Sequence, residues 1–146
     1  MSDCKTELQS IADNPLAYAI MNGDFEDACN LINNKDLDVN VNRQGCLYFA
    51  CHEDQFDIVR ELLKHSNINV NFPHICKGTP LVYAVNENSI GSVRELLKHP
   101  NIDVNTEEPF GRTPLYMASC KGRDRVVREL LRNDNITRWN MMTFEK

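Results

Sequence analysis

The tetrapeptide Arg-Glu-Leu-Leu occurs three times in this chain, beginning at Arg60, Arg94 and Arg128, and each copy follows the last by 34 residues. Three other sets of residues keep the same step: Leu47, Leu81 and Leu115; Ala50, Ala84 and Ala118; Val59, Val93 and Val127. A period between about 20 and 50 residues predicts a solenoid, in which each unit buries one face against its neighbour.

A weaker copy precedes these three, with a step of 31 residues. Leu16 and Ala19 take the positions of Leu47 and Ala50. The three missing residues lie in the connection between Asn40 and Leu47. We therefore predict four units, of which the first is followed by a shorter loop.

Each unit carries the signals of two short antiparallel helices. Thr79 is a good N-cap and Pro80 suits the first helical position, where its missing N–H has no cost. Thr113-Pro114 and Asn14-Pro15 repeat this pattern. A second helix follows, with an apolar stripe of Ile90, Val93, Leu96 and Leu97 and with Arg94, Glu95 and Lys98 outside the stripe. The alternating Ile102 and Val104 predict an extended loop arm.

Composition restricts the class of protein. The 146 residues are 42% hydrophobic and carry a net charge of -5, which favours one folded domain and disfavours general attraction to nucleic acid phosphates. The longest apolar run, Leu16 to Met21, is too short to span a bilayer, and no export signal is evident. We expect an intracellular protein, cytoplasmic with the nucleus also allowed, that is monomeric and does not contact membranes.

The six cysteines are interpreted as reduced thiols because a chain of this size does not need disulfides. They are Cys4, Cys29, Cys46, Cys51, Cys76 and Cys120. We assign Cys29 to the position of Val59 and Cys46 to that of Pro80, both of which are packing positions.

The repeat resembles the ankyrin repeat. The segment from Gly111 to Gly122 is similar to the family signature G-x-T-P-L-H-x-A-A-x-x-G, and Asp103-Val104-Asn105 fits the D-V-N ending. The resemblance implies an all-α solenoid of stacked antiparallel helix pairs with extended loop fingers. It places the repeats at about 13–43, 44–76, 77–110 and 111–138 of a single domain spanning 1–146, with an N-terminal cap at 1–12 and a C-terminal cap or tail at 139–146.

Some positions depart from the family pattern. The histidine of T-P-L-H is replaced by Ala17, Tyr48, Val82 and Tyr116, and Gly45 stands where a threonine is expected. We expect the usual turn-bridging hydrogen bonds to be lost. The shortened first finger cannot present the standard surface.

No pattern for catalysis or nucleotide binding is present, so we predict a non-enzyme without cofactor or metal. The alternative is a metal-binding or thiol-dependent protein that uses Cys46, Cys51, His52 and Cys76. Cys51 and His52 are neighbours on a helix and point about 100° apart, which disfavours a nucleophile–base pair. We interpret His65 and His99 as loop or helix-end residues and Glu107-Glu108 as solvated surface.

The resemblance implies protein binding through the concave face formed by the fingers and the first helices. The candidate residues are Met21, Asn22, His52, Glu53, Ile75, Cys76, Gly78, Asn86, Glu87, Pro109, Phe110, Arg112, Cys120 and Lys121. Phe110 and Arg112 are the preferred energetic centres because aromatic residues and arginine dominate interfaces. Phe110 either contacts the partner or packs on its own finger. A further hypothesis, implied by the same resemblance, is hydroxylation of Asn105.

Overall fold

The computed structural model describes residues 14–34, 36, 45–73 and 78–136. Within these ranges the chain forms eight helices that follow one another as four pairs. They are α1 (Pro15–Asn22), α2 (Phe25–Ile32), α3 (Cys46–His52), α4 (Phe56–Leu63), α5 (Pro80–Asn86), α6 (Ile90–Leu97), α7 (Pro114–Cys120) and α8 (Asp124–Leu131). The predicted all-α architecture is confirmed, whereas the predicted caps at 1–12 and 139–146 lie outside the described residues.

Side chains cap the first helix in three of the four pairs. Asn14 accepts hydrogen bonds from the backbone N–H groups of Leu16 and Ala17, at 2.9 and 3.2 Å. The hydroxyls of Thr79 and Thr113 accept from residues three positions later, and proline is the first helical residue in all three cases. Gly45 precedes α3 without a side-chain cap. The predicted N-caps are therefore confirmed, because these side chains satisfy otherwise unpaired N–H groups.

The turn inside each pair uses one residue in the left-handed backbone region. These residues are Gly23, Asp54, Asn88 and Gly122, with φ between 48° and 71°. The next N–H then bonds back to the first helix, at 2.9 Å in each pair. Ending a helix in this way suits glycine and asparagine, which tolerate positive φ. The turn reverses the chain so that the second helix packs against the first.

The helices stack in two layers. α1, α3, α5 and α7 contact their neighbours in one layer, and α2, α4, α6 and α8 do the same in the other. The buried side chains lie between and within these layers, with the same positions used in each pair: Leu16, Leu47, Leu81 and Leu115 are at most 2% exposed. The core is therefore a continuous row of neighbour interfaces, as expected for a solenoid.

The loops after the second helices are held by local hydrogen bonds. The Nδ1 atoms of His65 and His99 accept from the backbone N–H groups of Asn67 and Asn101, at 3.3 and 3.2 Å. Val70 and Val104, farther along these loops, are buried. Both histidines thus lie just after a helix end, as the repeat predicted.

In the second helices, one residue outside the apolar stripe is nevertheless buried, and the predicted position of Cys29 is wrong. Glu95 is buried rather than solvated, and its Oε1 accepts from Arg60 Nη2 at 3.0 Å and Lys98 Nζ at 2.9 Å. Cys29 is half-buried and occupies the position of Arg60, whereas Ala28, which is fully buried, takes the position of Val59. The step of 31 residues, which relates the starts of α2 and α4, places Cys29 one residue beyond the packing position.

Candidate functional site

The predicted binding residues occupy the ends of the first-layer helices and the loops that precede them. Two of them, Ile75 and Cys76, lie outside the described residues. The exposed residues are Met21, Asn22, His52, Glu53, Glu87, Pro109, Phe110, Cys120 and Lys121; Asn86 and Arg112 are half-buried, and Gly78 is buried. The structure therefore leaves most of these side chains accessible along one edge of the stack.

Contacts join the ends of α5 and α7. Lys121 Nζ, just after α7, donates to Asn86 Oδ1 at the end of α5. The Nδ2 of the same asparagine donates to Glu87 Oε1 at 3.3 Å. Asn86, Glu87 and Lys121 consequently form one polar edge. Met21 and Asn22 lie at the end of α1, two helices away in the same layer, and are separate from it.

An aromatic cluster lies between α3 and α5. The rings of Tyr48 and Tyr83 stack with centroids 4.1 Å apart. The Tyr83 hydroxyl is 2.8 Å from His52 Nδ1, and His52 Nε2 is 3.5 Å from Glu53 Oε1. Burial raises the pKa of Tyr83, with the carboxylates of Glu87 and Glu53 adding to this effect. The negative charges of both glutamates therefore act on one tyrosine.

Sequence reasoning missed this cluster because Tyr83 occupies an ordinary helix position. The usable signal was Tyr48, which replaces the family histidine. Tyr48 is buried, and its ring stacks on Tyr83 of the next first-layer helix. Stacking between aromatic rings adds stability beyond area burial.

Glu108 organises the finger that precedes α7. Its Oε1 accepts from the backbone N–H groups of Phe110 and Arg112, at 3.0 and 3.2 Å, and from Arg112 Nε at 2.9 Å. These hydrogen bonds, chiefly the one from the Arg112 side chain, lower the pKa of Glu108 although burial opposes the effect. The expectation that Glu108 is solvated surface is wrong. Its carboxylate is buried because it satisfies three donors of the turn.

Phe110 is the most exposed large apolar residue in the described part of the chain, at 80%. Its described contact lies within its own finger and leaves most of the ring exposed. The Arg112 guanidinium lies over its ring, with Cζ 5.4 Å from the centroid. The Arg112–Glu108 ion pair holds the guanidinium beside one face of the Phe110 ring.

A cavity of about 220 Å³ opens between α5 and this finger. We call it the concave groove. It is lined by Val82, Tyr83, Asn86, Glu87, Glu108, Phe110, Arg112 and Met117. Val82 and Met117 are apolar and nearly buried, so the groove combines an apolar floor with a polar rim. Such a combination is typical of sites that bind side chains of a ligand.

The cysteine–histidine group does not converge in the described residues. Cys46 and Cys51 are buried at 2% and 0% exposure, whereas His52 is exposed. Burial raises the pKa of the Cys51 thiol, with Asp54 adding to the effect and a hydrogen bond with Ser92 opposing it. Among the described residues, no three Cys, His, Asp or Glu side chains are arranged to hold a metal ion. Cys76 lies outside these residues.

Asn105 takes part in a contact between loops. Its Nδ2 donates to the carbonyl oxygen of Asn135, one repeat later, at 2.8 Å. Asn71 makes the corresponding contact with Asn101, at 2.7 Å, and its Oδ1 accepts from the Asp103 N–H. These asparagines thus connect successive loops, and Asn105 modification stays a hypothesis.

Comparison with known proteins agrees with this geometry. The family model described as ankyrin repeats (3 copies) matches residues 2–74 and 47–140. The crystal structure of EF0377, an ankyrin repeat protein, superimposes with a TM-score of 0.76 and 21% sequence identity over 84% of this chain. The chain spans 63% of that protein's length. No curated protein gives a significant sequence match.

Every helix in the described ranges has seven or eight residues, and none is long and apolar enough to cross a membrane. Four stacked helix pairs, threonine–proline helix starts and a family match over most of the sequence lead to one assignment. The chain belongs to the ankyrin repeat family.

Proposed function

We propose that this protein is a non-catalytic module that binds a protein partner through its concave face, with the concave groove as the centre of the contact. Ankyrin repeats are generally protein–protein interaction modules, and the family is typically non-enzymatic. The single observation that supports this site is Phe110, an exposed aromatic side chain on a groove that has an apolar floor and a polar rim.

The rigidity of the finger supports the proposal. An exposed phenylalanine on a mobile loop would lose conformational entropy on binding, which weakens affinity. Glu108 fixes the backbone on both sides of Gly111, and Arg112 restrains the ring. The turn that carries Phe110 is therefore ordered before a partner arrives, and the contact with Arg112 favours one orientation of its ring. Aromatic residues and arginine are enriched among the energetic centres of interfaces, and preorganisation lowers the entropy lost on binding.

The remaining predicted residues extend this surface. His52 and Glu53 lie on the neighbouring first-layer helix end, and Cys120 and Lys121 lie on the other side. We propose that the exposed members of this set form the rim of the interface, which contributes less energy than its centre. Met21 and Asn22 would be reached only by a partner that follows the stack to its first unit.

The thiol-dependent alternative has little support in the geometry. A nucleophilic cysteine must ionise and be accessible. Cys51 is fully buried with a raised pKa, and Cys46 is 2% exposed. Zinc measurement on purified protein, before and after chelation, tests the metal version of this alternative directly.

We also propose that the chain is monomeric and intracellular, in the cytoplasm or nucleus. The four described cysteines are free thiols, which is the usual state in reducing compartments. Sedimentation at several protein concentrations tests the first proposal, and localisation of the tagged chain in cells tests the second.

The partner site is tested by Phe110→Ala, with Phe25→Ala as the control. Both residues are exposed phenylalanines, but Phe25 begins α2 in the other layer. Each variant and the parent chain are immobilised, and the proteins retained from native lysate are compared quantitatively. We expect Phe110→Ala to lose at least one retained protein that the parent and the control both keep. Equal retention by all three would contradict the site assignment.

Melting temperatures are measured on the same samples. Because Phe110 is 80% exposed, its truncation removes almost no buried area and is expected to leave the melting temperature unchanged. A fall in melting temperature comparable to that of a core substitution would show that Phe110 is structural.

A further inference from the structure

The second layer is tied together by arginine–glutamate pairs, and the last arginine of the series has no described acceptor. Arg60 of α4 pairs with Glu95 of α6, and Arg94 of α6 pairs with Glu129 of α8, each at 3.0 Å. Arg128 occupies the same position of α8 as Arg60 does of α4. It is exposed, and within the described residues no carboxylate forms an ion pair with it. Arg128 therefore holds the position from which the two preceding arginines reach a glutamate of the following helix.

Arg128 also lacks the carboxylate that assists Arg60 within its own helix. Asp57, three residues before Arg60, accepts from Arg60 Nη1 at 2.9 Å. The residue three positions before Arg128 is Arg125, which is exposed and has no ion-pair partner in the part of the chain that the structure describes. Like charges at this spacing repel each other. α8 therefore carries two neighbouring arginines that are both unpaired.

The excess of positive charge remains when the carboxylates of this region are counted. The arginines are Arg94, Arg123, Arg125, Arg128 and Arg132, and the carboxylates are Asp124, Glu129 and Asp134. Glu129 is already shared by Arg94 and Arg132, at 3.0 and 3.1 Å. Asp124 lies in the first turn of α8, where the helix dipole favours a carboxylate. Five positive and three negative charges leave this end of the stack basic, although the whole chain has a net charge of -5.

Apolar surface of α8 lies uncovered beside the arginines. Val59 and Val93 are 0% exposed, whereas Val127, at the same position of α8, is half-buried. Leu131 is 38% exposed. α4 packs against α6 and α6 against α8, but no described helix packs on the other side of α8. We call the exposed part of α8 the end surface, which consists of Arg125, Val127, Arg128 and Leu131.

The preceding junctions indicate what chemistry fits the end surface. At each of them the acceptor is a helical glutamate that is followed by two leucines and then by a cation, as in Glu95 to Lys98 and Glu129 to Arg132. That cation also contacts the glutamate, at 2.9 Å and 3.1 Å. Two cations thus hold each carboxylate, one of them from the preceding helix. A helix of the same pattern would supply the carboxylate that Arg128 lacks.

We propose that the end surface binds an amphipathic helix of a partner protein. A glutamate of that helix pairs with Arg128, and its apolar side chains cover Val127 and Leu131. None of the residues that line the concave groove belongs to the end surface. The inference therefore adds a second binding surface to the proposed function.

A second copy of this chain fits the end surface less well. Its α2 would have to take the place of the following helix, and α2 has the neutral Asn30 at the position of Glu95 and Glu129. The carboxylates of α2, Glu26 and Asp27, lie about one turn earlier, in its first turn. The register of the arginine–glutamate pairs therefore favours a different protein.

Nucleic acid also fits less well. Its binding depends on lysines and arginines that neutralise several phosphates at once. The end surface contributes two arginines, and its other two residues, Val127 and Leu131, are apolar. A helix with both a carboxylate and apolar side chains matches all four.

Capped helical peptides test the proposal on the full-length chain. Each contains Val-Ala-Glu-Leu-Leu-Lys within an alanine-rich helix, and two companions carry glutamine or lysine in place of the glutamate. Binding is followed by the backbone amide shifts of the ¹⁵N-labelled protein. We expect the glutamate peptide to give saturable shifts at Arg125, Arg128 and Leu131 and to bind more tightly than the other two. The difference should shrink as sodium chloride is raised, because salt screens exposed charges.

Variants of Arg128 identify the contact. Arg128→Gln removes the charge, and Lys64→Gln removes a positive charge from the end of α4, two helices away in the same layer. We expect Arg128→Gln to weaken binding of the glutamate peptide about fivefold, the factor for about 1 kcal/mol from one exposed charge pair. The control is expected to bind as the parent chain does. Arg128→Glu should reverse the preference, so that the lysine peptide binds better than the glutamate peptide.

Each other outcome overturns the inference in an identifiable way. Equal binding of the glutamate and glutamine peptides would show that the charge of Arg128 plays no part. The absence of saturable shifts at the end surface at millimolar peptide also overturns it. Shifts at Arg128 that grow with protein concentration alone would identify a second copy as the occupant, and larger shifts with a DNA duplex than with the glutamate peptide would identify nucleic acid. The Phe110→Ala retention experiment judges the proposed function separately, because Phe110 lies outside the end surface.

Discussion

The carboxylate of Asp54 bridges the second and third helix pairs by contacting Ser92. Its Oδ1 accepts from the Ser92 backbone N–H at 2.8 Å and from the Ser92 hydroxyl at 2.9 Å. Ser92 is the third residue of α6, and Ser89 before it makes no side-chain cap. Asp54 therefore caps a helix of the next repeat, although its own backbone has a φ of 48°.

Removing this cap should loosen the junction between the two pairs. We expect Asp54→Ala to lower the free energy of unfolding by about 1–2 kcal/mol, because α6 loses its N-terminal acceptor and alanine tolerates positive φ poorly. Asp54→Asn keeps an acceptor oxygen and should cost much less. Urea denaturation of both variants measures the difference. Equal losses would mean that the two hydrogen bonds contribute nothing specific.

Gly91 packs against Phe56 across the same junction. A Cβ added to Gly91 would lie 2.7 Å from Phe56 Cδ1 and 3.0 Å from its Cβ. We expect Gly91→Ala to destabilise the parent chain by about 1 kcal/mol, since the clash outweighs the better helix propensity of alanine.

The same change should have the opposite sign when the ring is removed. In a Phe56→Gly background, which removes the Cβ as well as the ring, Gly91→Ala is expected to stabilise by about 0.8 kcal/mol from helix propensity alone. A double-mutant cycle in urea measures the coupling. Additive effects of the two substitutions would contradict direct contact between these residues.

A ladder of ion pairs connects the second-layer helices but is interrupted at the first junction. Arg60 pairs with Glu95, and Arg94 pairs with Glu129, each at 3.0 Å. Cys29 occupies the corresponding position in α2, and the carboxylate of Glu61 contributes, after burial, to the raised pKa of its thiol. The carboxylate of Glu61 is therefore close enough to form an ion pair with an arginine placed at position 29.

Cys29→Arg is therefore expected to stabilise the protein, by about 0.5 kcal/mol for a surface ion pair. Cys29→Gln is the uncharged control. The gain should shrink as sodium chloride is raised and should vanish in a Glu61→Gln background. A gain that survives Glu61→Gln would indicate a cause other than this pair.

The buried carboxylate of Glu95 should make stability depend on pH. The side-chain hydrogen bond from Arg60, followed by that from Lys98, lowers the pKa of Glu95 although burial opposes the effect. Because the pKa of Glu95 is lower in the folded than in the unfolded chain, its ionised carboxylate stabilises the fold above the ordinary glutamate pKa of about 4.3. This contribution is lost as the pH falls through the lowered pKa of the folded state.

We expect the parent chain to lose more stability than Glu95→Gln between about pH 6 and pH 3, because glutamine has no charge to lose. Glu26→Gln, which removes an exposed carboxylate, serves as the control. Chemical denaturation at each pH provides the comparison. Parallel curves for the parent chain and Glu95→Gln would rule out this linkage.

The predicted surface and the observed surface differ most at glutamates. Glu95 and Glu108 both follow patterns that are typical of solvated positions, yet both are 7% exposed. Each is buried because an arginine reaches it: Arg60 comes from the neighbouring helix pair, and Arg112 comes from across a turn. Arg112 is only four positions from Glu108, so the local sequence indicates that the two are near each other. It does not indicate that the arginine side chain turns toward the carboxylate.

Sequence predicted about half of the residues that line the concave groove, but it did not predict the cavity that they form. The candidate list contained Asn86, Glu87, Phe110 and Arg112 because the family pattern places variable residues there. It did not contain Tyr83, Val82 or Met117, which line the same cavity. Tyr83 and Met117 share one helix position of the repeat, and Val82 takes the place of the family histidine. Only the spacing between α5 and the finger brings these three side chains to the groove.

The sequence by itself determined the repeat, its period, the helix starts and the residues that pack the core, because these depend on local caps and on apolar periodicity that recurs every 34 residues. Tertiary structure alone decided which polar side chains meet across a junction, as Asp54 does with Ser92 and Arg60 with Glu95. Such pairs join residues 35 to 38 positions apart, and their geometry depends on how successive helix pairs stack.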